Sequence, residues 1–217
     1  MRYCLRIVLI SSLLLLSIVS GSMAMEPFYK GSWGMSPAEI KSLYAETDFQ
    51  EREVAEKGLI DTYIMQTVDG RTFATSYFFA DDGGREPVLY SVWAAFNIDS
   101  ITLAESEKLA ADLMAVIEAG LSGDPKEYQR FIGQPATNII EENDENETYA
   151  EVEVVTQQQR ACWLGAENCI NLIYSWTKFS DINAGLVIDI DFWNVKHPAY
   201  QEYYNQVVVN YNFSETK

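Results

Sequence analysis

Asp189 and Asp191 alternate with Ile188 and Ile190 in the stretch "VIDIDFWN", residues 187–194. In a strand, alternate residues share a face, so the two carboxylates lie on one side with Trp193 following them. They stand about 7 Å apart along that face. Two carboxylates beside an indole suit a glycosidase cleft or a platform for a hydroxyl-rich or cationic group. The same pattern also fits an outward, solvated strand face. Asp189, Asp191 and Trp193 are therefore the candidate binding residues.

Other chemistries find less material. The chain holds a single His, His197 in "VKHPAY", so any Ser–His or Cys–His arrangement must use it. No G-x-S-x-G elbow follows residue 24. A surface or capping role suits His197, and no catalytic residue is assigned. Cys162 and Cys169 lie seven residues apart in "ACWLGAENCI". Their spacing fits a hairpin with the two Cys facing each other, and in an exported chain an even pair reads as a disulfide. A zinc site would need further ligands that a chain with one His does not offer. The acidic loops at Asp81–Asp82 and Asp144–Glu147 are oxygen-rich but match no EF-hand spacing. No metal and no cofactor is expected.

The bulk of the sequence limits the partners. Its 217 residues carry a formal net charge of −17. Such a field repels nucleic acid and anionic lipid, and it favours cationic partners or plain solubility. Residues 1–24 read as a signal peptide: Arg2 and Arg6 precede an apolar run, and Ser22 and Ala24 fit small–x–small cleavage. The run is short for a membrane span, so no stable span is expected after cleavage. Residues 25–217 would then form one exported domain, periplasmic or secreted.

The elements that must position these residues are legible as patterns. In "GSWGMSPAEIKSLY", residues 31–44, Ser36 and Glu39 form a capping box with Pro37 at the first helical position. Trp33 is read as packing the entry loop onto the core. Thr102 and Glu105 make a second capping box, followed by Leu109, Leu113, Val116 and Ile117 at helical spacing, with a stop near Gly120. Two β-rich runs meet at Asp69-Gly70, a strong hairpin signal, and "VLYSVWAAF" follows as a third strand. After a loop with a short helical turn and an acidic linker, three more strands run through Val152–Val154, Leu172–Trp176 and Leu186–Phe192. The pattern predicts an α+β fold: a twisted antiparallel sheet of about six strands with helices on one face, in the order α-βββ-α-βββ.

The opening "WGMSPAEIKSL" resembles the start of small exported bacterial proteins of unassigned function. The helix-then-meander order, used twice, is similar to the β-lactamase-inhibitor-protein-like group. That resemblance implies protein binding without catalysis. The expected function is thus exported, non-catalytic binding of a protein or other envelope component through an uncovered sheet face. A carbohydrate-active or other hydrolase using Asp189 and Asp191 is one alternative, and a carrier of an apolar ligand is another.

Overall fold

The computed structural model describes residues 28–44, 50–54, 59–68, 70–80, 86–121, 128–133, 136–142, 152–180, 183–205 and 214–215. The signal segment, the Asp81–Asp82 loop and the Asp144–Glu147 loop lie outside them. Among the described residues no helix is long and apolar enough to cross a membrane.

The fold is α+β. Helix α1 (Pro37–Ser42) leads into strands β1 (Gln50–Val54), β2 (Leu59–Val68), β3 (Arg71–Ala80) and β4 (Val88–Asp99). Helix α2 (Leu103–Gly120) is followed by β5 (Gln129–Ile132), β6 (Ala136–Glu142), β7 (Val152–Leu164), β8 (Asn168–Ser180) and β9 (Asn183–Asn194). Helix α3 (Pro198–Tyr203) and the two-residue β10 (Ser214–Glu215) close the chain. All strands join one antiparallel sheet in the order β1-β2-β3-β4-β9-β8-β7-β5-β10, with β6 also on β7.

The sheet thus has ten strands where about six were expected. The six predicted ones form its centre. The four additions are peripheral: β1 falls in a charged stretch, β5 and β6 fall in what reads as a loop and a linker, and the two-residue β10 pairs with β5 at the far edge. None has an alternating apolar pattern over a full strand length, so only pairing with a neighbour defines it.

Both capping boxes form. The Ser36 hydroxyl accepts from the Glu39 amide while the Glu39 carboxylate accepts from the Ser36 amide at 2.8 Å. Thr102 and Glu105 repeat the arrangement at the start of α2. Val68 pairs with Arg71 across the predicted two-residue turn, and Gly70 takes the positive φ of 75° that such a turn requires.

The opening stretch is structural. Gly31 has φ 112°, and a Cβ there would lie 2.3 Å from the Ile40 side chain, so only glycine lets the loop pass over α1. Trp33 packs against the core, and its indole N–H donates to the Asn168 side chain. The amide of Gly34 donates to the Leu89 carbonyl, and the Leu89 amide donates to Met35. Those two bonds fasten the segment to β4 beside a bulge at Phe78–Phe79.

The core lies on one sheet face. Leu186, Ile188, Ile190 and Phe192 of β9 meet Ile40 of α1 and Leu109, Leu113 and Ile117 of α2. The expectation that all helices share this face does not hold. Helix α3 packs on the opposite face, where Tyr203 stacks on Trp193 with ring centroids 4.3 Å apart. The reason is chain direction. Strand β9 ends in a turn in which the His197 amide bonds the Asn194 carbonyl, and this returns the chain over the odd-numbered side of β9.

The cap predicts a clean result. Ser36→Ala should lower stability by about 1 kcal/mol in urea denaturation. It should leave partner binding unchanged, and a loss of binding at constant stability would contradict a purely structural role.

Candidate outer-face binding site

The odd-numbered residues of β9 face away from the core, as their alternation requires. Each sits in a row that runs across the sheet. One row is Ser76, Trp93, Asp191, Asn171, Cys162 and Phe131, on β3, β4, β9, β8, β7 and β5. The adjacent row contains Met65, Ala74, Ala95, Asp189, Ile173 and Arg160. On the other side, Ser91, Trp193, Cys169 and Leu164 are aligned.

This face is half covered. Residues 195–205 lie over the end that holds Trp193 and Cys169. Tyr200 and Tyr203 pack with Trp193, Cys162 and Cys169. The Tyr203 hydroxyl donates to Asp191 Oδ2 at 3.1 Å. His197 caps α3, its Nδ1 accepting from the Ala199 amide, and its ring stacks on Tyr90 at 4.5 Å. That is the expected capping role.

The expectation of one open surface built on Asp189, Asp191 and Trp193 therefore needs correction. Asp191 and Trp193 sit beneath the C-terminal tyrosines, and only Asp189 reaches the open half. There its Oδ1 accepts from the Trp93 indole N–H at 3.1 Å. Among the described residues, Trp93, Val187 and Met65 are the large exposed apolar groups of that half, at 38 %, 42 % and 56 %. The two alanines between Met65 and Asp189 keep the row low over three strand spacings, about 14 Å.

The disulfide expectation also needs correction. Cys162 and Cys169 are free thiols, with sulfurs 3.6 Å apart. A covalent bond would bring them to about 2.0 Å. The register gives the reason: Cys162 stands opposite Asn171 and Cys169 opposite Leu164, so the two are diagonal neighbours. Mutual contact and burial push the Cys162 thiol far above its ordinary range.

Electrostatics separate the two carboxylates. Burial raises Asp189, and the Trp93 N–H opposes the shift. Burial pushes Asp191 up to about 6; the Tyr203 hydroxyl lowers it, the Asp189 charge raises it, and Asn171 and Arg160 lower it. Among the described residues no group of three or more His, Cys, Asp or Glu side chains could hold a metal ion.

Several polar atoms at the covered end lack partners. They are both amide atoms of Asn171 and the indole N–H of Trp193, while the Tyr200 hydroxyl has only the Cys169 thiol beside it. The Asn171 amide faces Asp191 and Tyr203, but outside normal hydrogen-bond geometry. Sequence reasoning left Trp93 open between packing and a binding sheet, and missed Asn171, Tyr200 and Tyr203. A signal existed for Trp93, which lies on the opposite face of β4 from Val92 and Ala94. The tyrosines carried none, because the fold of their segment depends on what it lands on.

No protein-family model, curated protein or solved structure matches this chain.

Asp191 yields a pH prediction. Its folded value lies above its unfolded one near 3.8, so its contribution to stability is complete below that value and is lost as pH rises through about 6. The stability difference between wild type and Asp191→Asn should shift by about 1–3 kcal/mol from about pH 4 to about pH 7.5, with wild type losing as pH rises. Urea titrations at the two pH values check it, and an unchanging difference would refute the burial assignment.

Proposed function

We propose that the chain is an exported, non-catalytic binding protein that recognises a cationic protein partner on the open half of its outer sheet face. One observation carries this reading: an exposed indole is held by a carboxylate, Trp93 on Asp189, beside exposed Val187 and Met65. A tryptophan supplies contact area and cation–π attraction, and the carboxylate orients a positive group. The net charge of −17 adds long-range attraction for such a partner. Export rests on the pattern of residues 1–24.

The hydrolase reading draws on one observation. Two carboxylates on one face differ in environment, and burial brings Asp191 into the range of a general acid. Against it, Tyr203 covers Asp191 and separates it from the open half. The carrier reading gains nothing from the core, where Leu113, Ile117, Ile188 and Phe192 are fully buried against one another.

Fluorescein-labelled basic peptides that place Lys or Arg beside an aromatic residue provide the test. Wild type should bind them with an affinity that falls as salt rises. Trp93→Ala and Asp189→Asn should each weaken binding about tenfold, in line with loss of a central anchor. Binding that ignores both substitutions would mean diffuse attraction to an acidic surface and would overturn the site. Turnover in a glycoside panel, abolished by Asp189→Asn, would establish the hydrolase instead.

A further inference from the structure

The covered half of the outer face contains a contact that is well packed and poorly satisfied. Trp193 stacks on Tyr203 and lies near Tyr200, at ring centroids of 4.3 and 6.5 Å. Yet the Trp193 indole N–H and both polar atoms of the Asn171 amide are buried without hydrogen-bond partners of normal geometry, and the Tyr200 hydroxyl meets only the weakly bonding Cys169 thiol. These atoms lie on both sides of one interface, between β8–β9 and α3. Buried polar groups are normally paired, and orphaned ones carry an uncompensated desolvation cost. Lifting α3 would hydrate all of them at once.

The segment is built to lift. Its root is anchored: the Val195 amide donates to the Glu167 carbonyl, Lys196 pairs with Glu167, and the His197 amide bonds Asn194. Beyond the root, α3 has only six residues, too few for a helix to be stable by itself. Its Tyr203–Asp191 bond, at 3.1 Å, is long for a hydroxyl donor.

We propose that residues 198–205 are a strap occupying a latent binding site, and that a partner segment bearing two tyrosines three residues apart displaces it. The strap itself defines the chemistry. One phenol ring stacks on Trp193 and donates a hydrogen bond to Asp191, and a second covers Cys162 and Cys169. A displacing segment that also paired with Asn171 and the Trp193 N–H would satisfy groups the strap leaves bare. The vacated site is continuous with Trp93 through the Trp93–Asp191 pair. This extends the binding reading given above, but its test does not depend on a cationic ligand.

Two measurements on the full-length, reduced protein decide it. The first follows modification of Cys162 and Cys169, buried under Tyr200, by a bulky aromatic disulfide reagent. Local opening predicts a labelling rate flat in urea below the unfolding transition. Tyr203→Phe keeps the ring, loses the bond to Asp191, and should label at least tenfold faster. Labelling that tracks global unfolding equally in both proteins overturns the strap. The second uses Tyr200→Ser/Tyr203→Ser and a labelled peptide, PAYQEYYN, which carries no positive side chain. The variant should bind it at least tenfold more tightly than wild type does, and a peptide with Phe for Tyr should bind the variant at least threefold more weakly. Equal binding to both proteins, or to both peptides, overturns the partner assignment. If the double variant does not fold, the same comparison is made with Tyr203→Phe. Capture of PAYQEYYN without binding of basic peptides would refute the cationic reading while leaving the strap site standing.

Discussion

The two-residue period of β9 divides this molecule. With one register, Leu186, Ile188, Ile190 and Phe192 meet α1 and α2, and Val187, Asp189, Asp191 and Trp193 are turned away. A slip of one residue would bring two carboxylates into the apolar core and put four large apolar side chains outside. Because β9 pairs with both β4 and β8, its register also fixes theirs. The core beneath α2 and the chemistry of the outer face are thus two readings of one alternation.

The outer face contains two environments for the same residue type. Asp189, next to the small Ala95 and bonded to an exposed indole, keeps contact with solvent. Asp191, one pleat further on, is half-buried against Tyr203, Asn171 and Trp93. Nothing in "DID" distinguishes them. The difference comes from where the C-terminal segment lands, so a local repeat in the chain becomes an asymmetric pair in space.

What could be read from the sequence was local. The capping boxes at Ser36 and Thr102 involve residues three apart, and the Gly70 turn involves neighbours. Alternation over Leu186–Phe192 identified a core strand. Illegible were features decided by distant pairing. Strand β1, with the sequence QEREV, and the short β5 and β6 are strands only because β2 and β7 offer them an edge. The pairing of the cysteines depended on a register offset of two residues that spacing does not reveal. The place of Tyr203 on Trp193 follows from the turn after Asn194, which selects the side of the sheet to which the chain returns.

The turn between β7 and β8 holds both flanks of the chain. Asn168 receives the indole of Trp33 across 135 residues of sequence, and Glu167 receives the Val195 amide and the Lys196 ammonium. The hairpin itself is local and closes quickly, whereas the contacts it collects are not. Loop-closure entropy delays such long-range contacts until the intervening chain is ordered. On contact order alone, the β7–β8 turn is expected to form before the contacts it collects from Trp33, Val195 and Lys196. A chain emerging from its N-terminus must therefore keep Trp33 waiting until residue 168 has followed it.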